Sequence, residues 1–372
     1  MNKVLISGAG IAGSALAYWL NHVGFDTTVI ESSPVLRLGG QAVDIRGAAL
    51  KVVAKMGLGR RIQRMRTQMR GMSVLDGHGE EISRSTEMTF SSGRLDSGDL
   101  ELLREDLAKL LYQQTRHSST YLFGDTIAAI DEADDGVHVE FAHAAPATFD
   151  LLIGADGLHS RVRSLCFGHE EQFLVPLGMQ TAIFSAPNFL GLEDWQVWLR
   201  GGDAGYGIYP VRNNRELRVT LGYAADGGGR SDDIDGHKHR AAERLGHLRW
   251  KTPAIIEAMW AAQDFYTDVM AQIHMPCWST RRVALLGDAA WCPSPLSGQG
   301  TSLALVGAYV MAHELAASGK NHRKAFARYE ERMRPFVLLN QALATERPLQ
   351  PASPESIDAA KDAISLEKLA SC

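Results

Sequence analysis

The first thirty residues carry a strand, a glycine-rich turn and a helix in an order that few folds can accommodate. An apolar run stops at Gly8, Gly10 and Gly13, a helical pattern follows over residues 11–22, and a second apolar run begins near residue 28. Gly8 permits a tight turn, Gly10 lets the backbone approach a pyrophosphate, and Gly13 lets helix and strand pack closely. The pattern predicts a β-α-β unit that binds a dinucleotide.

The second apolar run ends at Glu31, whose carboxylate suits a ribose 2′-hydroxyl and would repel a 2′-phosphate. The bound nucleotide is therefore predicted to be FAD or NAD, not NADP. A glycine motif alone is a weak signal, and its alternative is a small-residue packing contact between helices. The strand before it, the helix after it and the acid at the end of the next strand make it specific.

Composition limits the partners of the chain. The 372 residues suggest two lobes, and 45% hydrophobic with 22% charged residues is typical of a globular protein. A net charge of −5 with no polybasic run argues against nucleic acid and anionic membranes, so small molecules are expected. The apolar stretch at residues 300–312 is too short to span a bilayer. The cysteines lack a C-x-x-C pair, so neither a disulfide framework nor a zinc site is expected, and a cytoplasmic location is predicted.

Two further predicted strands are each followed by an aspartate. The run at residues 151–153 stops before Asp156, at the carboxyl end of a predicted buried parallel strand, where ligands bind. An Asp-Gly turn would explain this residue too, although the polar residues that follow exceed what a turn needs. The run at residues 283–286 stops before Asp288, which suits a polyol hydroxyl. A proline-containing loop and Gly298-Gln299-Gly300 then open an apolar helix.

Two candidate arginines lie between the N-terminal glycine motif and Asp156 in the sequence. Arg46 follows the Gly39-Gly40 loop beside Asp44, and it either contacts the flavin or substrate or forms a surface pair with Asp44. Arg104 stands near the start of a helix predicted over residues 102–114. The segment 72–89 reads as a hairpin inserted into the nucleotide-binding domain.

The segment 171–275 alternates polar and apolar residues, which predicts an antiparallel sheet of about four or more strands that binds the substrate. The predicted domains are residues 1–170 with 276–320 for the nucleotide, residues 171–275 for the substrate, and residues 321–372 as a C-terminal helix and tail. His237 and His239 are placed in a loop near Gly227–Gly229, and without a third ligand they predict no metal site.

Three motifs in order, GAGIAG with Glu31, ADGLHSRVR and LLGDAAWCPSPLSGQG, resemble the group A flavoprotein monooxygenases of the para-hydroxybenzoate hydroxylase type, over residues 4–315. Within that group, GGQAVDIRG and GDAAWCPSPLSGQG resemble the tetracycline-inactivating monooxygenases, the tetracycline destructases. The resemblance implies an α/β fold in which a Rossmann-like FAD-binding domain is interleaved with the antiparallel substrate lobe.

The resemblance also implies roles for individual residues. Asp156 would serve both FAD and transient NAD(P)H binding. The implied FAD contacts are Gly8, Gly10 and Gly13 on the pyrophosphate, Glu31 on the adenosine ribose, Arg104 on the ribityl and phosphate region, Asp288 on the ribityl chain, Pro295, Gly298, Gln299 and Gly300 at the isoalloxazine, and Arg46 in the same cofactor region. The implied substrate contacts are Gln180, Arg200 and Arg218, with a surface cross-strand position as the alternative for Gln180.

The implied chemistry belongs to the cofactor. NAD(P)H reduces FAD, the reduced flavin captures O₂ as a C4a-hydroperoxide, and one oxygen passes to an electron-rich carbon of an aromatic or polycyclic phenol or enol, a tetracycline among the candidates. No catalytic side chain and no metal are expected, NAD(P)H has no domain of its own, and the protein is expected to be a monomer or a dimer.

Other classes share the first motif. An FAD-linked reductase and a non-enzymatic binding protein on the same fold are alternatives, although the intact Gly298-Gln299-Gly300 loop argues against the binding protein. A flavin halogenase is a third alternative. Halogenases carry W-x-W-x-I-P, whereas Trp195 and Trp198 are spaced W-x-x-W without that Ile-Pro.

Overall fold

The computed structural model describes residues 3–37, 39–225, 233–347 and 352–367 of the chain. The strands of this part, numbered in chain order, are β1 (Lys3–Ser7), β2 (Asp26–Glu31), β3 (Ala42–Ile45), β4 (Gly71–Leu75), β5 (Glu81–Ser85), β6 (Met88–Thr89), β7 (Gly93–Arg94), β8 (Leu100–Leu103), β9 (Ser119–Phe123), β10 (Ile127–Glu132), β11 (Val137–Phe141), β12 (Ala147–Phe149), β13 (Leu151–Gly154), β14 (Leu174–Pro187), β15 (Trp195–Gly201), β16 (Ala204–Val211), β17 (Glu216–Ala224), β18 (Tyr266–Ile273) and β19 (Val283–Leu285).

The helices surround these strands. They are α1 (Ile11–His22), α2 (Ala48–Lys55), α3 (Gly59–Met65), α4 (Arg104–Thr115), α5 (Arg161–Cys166), α6 (Ile234–Leu245), α7 (Thr252–Ala261), α8 (Asp288–Trp291), α9 (Gly300–Ser318), α10 (His322–Ala342) and α11 (Pro354–Lys361). Short 3₁₀ turns occur at Glu170–Gln172 and Pro295–Ser297.

A five-stranded parallel sheet carries the glycine turn. Its strand order is β19-β13-β1-β2-β9, and every neighbouring pair is parallel. From β1 the chain moves outward to β2 and β9, then returns to β13 and β19 on the other side. Ligands bind outside the carboxyl ends of strands where the direction of winding reverses, here between β1 and β13. The predicted β-α-β unit and the two further parallel strands are confirmed.

A seven-stranded sheet contains the predicted antiparallel lobe. Its order is β18-β14-β17-β16-β15-β4-β5, and the β15–β4 pair is its parallel exception. The hairpin of β4 and β5 extends this sheet, so the prediction that it belongs to the nucleotide-binding domain is wrong. Alternating residues predict a strand but not which sheet its free edge meets, because pairing of β4 with the distant β15 is a long-range contact. The division at residues 170, 275 and 320 stays a prediction.

Helix α9 lies at the centre of the larger core. Every residue from Ser302 to Leu315 is buried, with α1, α2 and α10 packed around it. Glu314 is buried in this helix and pairs with Arg332 of α10, with 2.6 Å between Oε1 and Nε. The uniformly apolar sequence of α9 is thus that of a core helix. In the described part of the chain, no helix combines the length and the apolar character needed to cross a bilayer.

Three local predictions need correction. Residues 102 and 103 end strand β8, and the helix begins at Arg104. His237 and His239 lie within α6 rather than in a loop, and Gly227–Gly229 lie outside the described residues. The pattern over residues 237–260 predicts a helix interrupted at Pro253, but α6 ends at Leu245 and Pro253 stands in the first turn of α7, where its missing N–H costs nothing.

We expect Leu305→Ala to lower the free energy of unfolding by about 2–5 kcal/mol, because Leu305 is fully buried in α9 and its truncation leaves a cavity. Leu339→Ala on the exposed side of α10 is the matched control, with an expected change below about 0.5 kcal/mol. Urea unfolding followed by circular dichroism measures both, and equal effects would contradict the placement of α9 in the core.

Candidate functional site

The turn after β1 is built on close contacts that require glycine. Gly8 has φ +102°, and a Cβ there would lie 2.5 Å from the carbonyl oxygen of Ala155. A Cβ on Gly13 would lie 1.9 Å from the carbonyl oxygen of Gly8. By contrast, a Cβ on Gly10 would meet no protein atom within 4 Å. The first and third glycines are thus required by packing, while Gly10 faces open space at the start of α1.

Glu31 lies beside this turn. Its Oε2 accepts a hydrogen bond from the Ala9 N–H at 2.9 Å, and its Oε1 accepts one from the Ser33 N–H at 3.0 Å. The carboxylate is therefore held at the mouth of the glycine turn. It remains partly exposed.

Arg104 is the first residue of α4 and lies near Glu31 and Asp288, at the carboxyl ends of the parallel strands. Burial lowers its pKa, as does the nearby Arg37, while Asp288 and Glu31 act in the opposite direction. Its guanidinium forms no hydrogen bond or ion pair with another described residue. The fold thus brings Glu31, Arg104 and Asp288, three residues predicted to contact one cofactor, into one electrostatic neighbourhood. A partly buried cation without a bonded partner suits an anionic group such as a phosphate.

Asp156 follows β13, and hydrogen bonds from neighbouring residues already use both of its carboxylate oxygens. Its Oδ1 accepts from the Ser160 hydroxyl at 2.5 Å, and its Oδ2 accepts from the Val162 N–H at 3.1 Å and from the Ser7 hydroxyl at 3.4 Å. Burial raises its pKa, and the Ser160 hydrogen bond opposes that rise. The carboxylate therefore ties α5 to β1, and its predicted contact with a cofactor stays a prediction.

Asp288 follows the third strand end. Gly287 has φ +68°, and a Cβ on it would lie 3.0 Å from the Cβ of Ala12, so the third turn packs on α1. Burial raises the pKa of Asp288, while the side chain of Cys292 and the charge of Arg104 act to lower it.

The Pro295–Gly300 loop completes this edge. Gly298 has φ +63°, and Gln299 is 1% exposed, with neither side-chain amide atom bonded to a described residue. A buried amide without a partner is costly, which is evidence for a ligand with matching polar atoms.

Arg46 lies in a buried cluster beneath that loop. A Cβ on Gly298 would lie 3.7 Å from one of its terminal nitrogens. That side chain donates to Asp44 at 2.8 Å and to the Ser91 carbonyl at 3.2 Å. Glu101 pairs with Asp44 across β3 and β8. Since Arg46 is 5% exposed, a surface pair with Asp44 is excluded.

Burial raises the pKa of both carboxyl groups in this cluster, that of Asp44 to about 7 despite the opposing charge of Arg46. One oxygen of each, and the Arg46 Nε, have no hydrogen-bond partner among the described residues. Glu101 carried no recognisable signal in the sequence, because its partner strand β3 lies far away in the chain.

His159 organises a second charged network that sequence reasoning missed. Its Nδ1 bonds to Glu170 at 2.8 Å and its Nε2 to Asp268 at 3.0 Å. Glu170 also accepts from Arg163, which donates to the Ala289 carbonyl beside Asp288. The hydrogen bonds to Asp268 and Glu170 raise the pKa of His159 to about 9. The network joins the Asp156 turn to β18 and to α8.

The predicted substrate contacts fall in three different settings. Gln180 donates to Thr267 and shares the strand side of Ala182 and Phe184, which pack under α6 and α7. Arg218 is 2% exposed and binds the Gly40 carbonyl at 3.1 Å, and it also pairs with Glu105, Glu216 and Ser185, so it anchors a loop. Arg200 is on the opposite side from Gln180, over the ring of Phe90 at 4.6 Å. The structure thus separates Gln180 from the other two.

No group of three His, Cys, Asp or Glu residues within the described ranges is arranged to hold a metal ion.

The chain is similar to known proteins along most of its length. Residues 1–342 match the FAD binding domain family. An uncharacterised protein of Mycobacterium tuberculosis is 47% identical over 348 residues, covering 93% of each chain. A flavin-dependent monooxygenase of Legionella longbeachae is 35% identical over 346 residues, covering 91% of this chain and 87% of the relative. The crystal structure of the tetracycline destructase Tet(51) has 33% identity and a TM-score of 0.88, covering 98% of this chain and 99% of that one.

We expect His159→Gln to remove a pH-dependent part of the stability. A histidine whose folded pKa is raised from 6.5 to about 9 contributes fully below pH 6.5, and its contribution is lost as the pH rises through 9. The variant should be less stable than wild type by on the order of 2 kcal/mol at pH 6.5, with the difference shrinking by pH 9.5. Urea titrations at both pH values measure this.

His138→Gln, at an exposed histidine of β11, controls for the loss of an imidazole. A stability difference between His159→Gln and wild type that is the same at both pH values would contradict the assigned network.

Proposed function

The chain belongs to the FAD binding domain family and to its flavin-dependent monooxygenases, and we propose that it takes electrons from NAD(P)H and inserts one atom of O₂ into an aromatic or polycyclic phenol or enol. The observation that carries this proposal is the meeting of Glu31, Arg104 and Asp288 at one sheet edge, beside a buried Gln299 amide without a partner. Tetracycline is the first candidate substrate, since the Tet(51) destructase matches this chain along nearly its whole length.

The residues at this edge fit FAD in shape and in chemistry. Gly10 leaves open space at the N-terminus of α1, where N–H groups and the helix dipole favour a pyrophosphate. Glu31 would hold the adenosine ribose, Arg104 the phosphate and ribityl region, and Asp288 the ribityl hydroxyls. The loop from Pro295 to Gly300 would contact the isoalloxazine ring. Bound FAD supplies the redox chemistry, accepting a hydride and activating O₂.

The protein's own contribution is position and exclusion of water. The Pro295–Gly300 loop leads directly into the buried helix α9. Trp291 and Cys292, which precede the loop in the chain, are at most 5% exposed. A dry site favours oxygen transfer over loss of the activated oxygen to water. Arg46, which is bonded to Asp44 and lies close to Gly298, would place a positive charge beside this loop, where it would stabilise a developing phenolate or enolate of the substrate.

We expect the purified protein to be yellow and to release FAD on denaturation. Tetracycline or a simple phenol should stimulate NAD(P)H oxidation under air, with mass spectrometry showing a product that has gained one oxygen atom. Parallel assays with NADH and NADPH identify the electron donor. Colourless protein that does not take up FAD, or oxidation without oxygen in any product, would refute the proposal.

Gly10→Ala tests the pyrophosphate contact separately from folding. The new methyl group meets no protein atom within 4 Å and the backbone has φ −73°, so stability should change by less than about 0.5 kcal/mol. FAD affinity should fall at least about tenfold, since the methyl group occupies the space of the ligand.

Gly98→Ala, at an exposed glycine with equally open surroundings, is the matched control and should keep wild-type affinity. Fluorescence titration of the FAD-free protein measures both variants. Unchanged affinity in Gly10→Ala would rule out the proposed binding mode.

A further inference from the structure

The seven-stranded sheet has two chemically different faces. Val197 and Leu199 of β15 pack with α6 and α7 in a hydrophobic core. The alternate residues point the other way, and there Gln196 reaches Ser91 and the Tyr209 hydroxyl accepts from the Ala42 N–H. We call this second side the nucleotide-side face, because both contacts lead to the segments beside the Gly298 loop.

The Trp198 ring lies over a part of this face where three of the residues are glycines. Gly207 stands opposite it on β16, and a Cβ there would lie within 2.6 Å of three atoms of the Trp198 ring. Gly205 follows on the same side of β16, and Gly222 pairs with it on β17. The nearest protein atom to a Cβ on Gly222 would be 3.8 Å away. We call Gly205, Gly207 and Gly222 the glycine floor. They bring no side chain of their own beside the indole, while Thr220 pairs with Gly207 and Arg200 pairs with Gly205.

Phe90 meets Trp198 from the turn between β6 and β7. The two ring centroids are 5.4 Å apart at an interplanar angle of 69°, and both side chains are only partly buried. The guanidinium of Arg200 lies 4.6 Å from the Phe90 centroid. Two partly exposed aromatic rings inclined at 69° leave ring faces on which another flat ring can stack.

A chain of hydrogen bonds links Trp198 to Ser91, the residue that follows Phe90. The Trp198 Nε1–H donates to Gln196 Oε1 at 2.9 Å, and Gln196 Nε2 donates to the Ser91 hydroxyl. The Ser91 carbonyl oxygen accepts a hydrogen bond from Arg46. Gln196, at the centre of this chain of hydrogen bonds, is 0% exposed. The chain of hydrogen bonds ends at Arg46, against Gly298.

We propose that Phe90, Trp198 and the glycine floor form an aromatic subsite that receives one flat ring of the substrate and sets its orientation toward the Gly298 loop. The subsite selects fused or single aromatic rings over saturated ones, and the positive charge of Arg200 favours rings with an acidic hydroxyl. Gln196 and Ser91 are positioning residues. The inference rests on the proposed function, since it names the substrate class of the same site.

Equilibrium binding to the FAD-loaded protein without NAD(P)H tests the subsite independently of turnover. The probes are tetracycline, phenol and its saturated counterpart cyclohexanol, measured by calorimetry and by quenching of tryptophan fluorescence. Wild type should bind both aromatic probes and not cyclohexanol. Phe90→Leu, which keeps volume but loses the aromatic face, should weaken tetracycline binding about tenfold. Trp198→Phe should weaken it and remove most of the quenching.

Trp195→Phe is the matched control. Trp195 lies on the same strand, but it packs against the core under α6 and α7 and bonds to Ser73. This variant should keep wild-type affinity and most of the ligand-induced quenching. FAD absorbance and thermal unfolding of each variant show whether it remains folded and loaded.

The outcomes separate this inference from the proposed function. Wild-type affinity in both Phe90→Leu and Trp198→Phe overturns the subsite, even if the enzyme oxygenates its substrate. Failure of wild type to bind either aromatic probe overturns it as well. Binding that depends on Phe90 and Trp198 without any oxygenated product supports the subsite and refutes the monooxygenase proposal.

Discussion

The contact between α1 and the end of β1 sets the geometry of the proposed nucleotide site at the carboxyl ends of the parallel strands. A side chain on Gly13 would occupy the position of the Gly8 carbonyl oxygen, and one on Gly8 would collide with Ala155 after β13. Three chain segments therefore meet with backbone against backbone. This close packing seats the start of α1 against the carboxyl ends of β1 and β13, the place where ligands bind in an open parallel sheet.

The second constraint is how the seven-stranded sheet is joined to the segments around β3 and the β6–β7 turn. Arg218 of the seven-stranded sheet binds the Gly40 carbonyl, the Tyr209 hydroxyl receives the Ala42 N–H, and Gln196 reaches Ser91 beside Arg46. Buried charges are tolerated only when they are paired, and Arg218 and Arg46 each have a carboxylate partner. A few directional hydrogen bonds therefore set the position of the nucleotide-side face relative to the loop that contains Gly40 and to the β6–β7 turn.

Much of the fold was predictable, and much of the detailed site was not. The β-α-β unit, the parallel strands before Asp156 and Asp288 and the antiparallel lobe all follow from short-range patterns. The role of Arg218 as an anchor and the network of His159 do not, because Asp268 lies 109 residues beyond His159. Gln180 could not be assigned to a face by counting, since the pairing of β14 with β18 shifts register between Pro176 and Met179.

The sequence by itself determined the backbone: which glycines turn a strand into a helix, where buried strands end, and which acids stand at those ends. Steric limits on φ and ψ and the periodicity of apolar residues act over a few residues, so they can be read locally. Only the tertiary structure decided which side chains are buried and which residues they bond to. It buried Arg46 with Asp44 and Glu101, left the Gln299 amide without a partner, and laid Trp198 over Gly207. Burial and charge pairing are long-range properties, since they depend on which distant segments exclude water from a side chain.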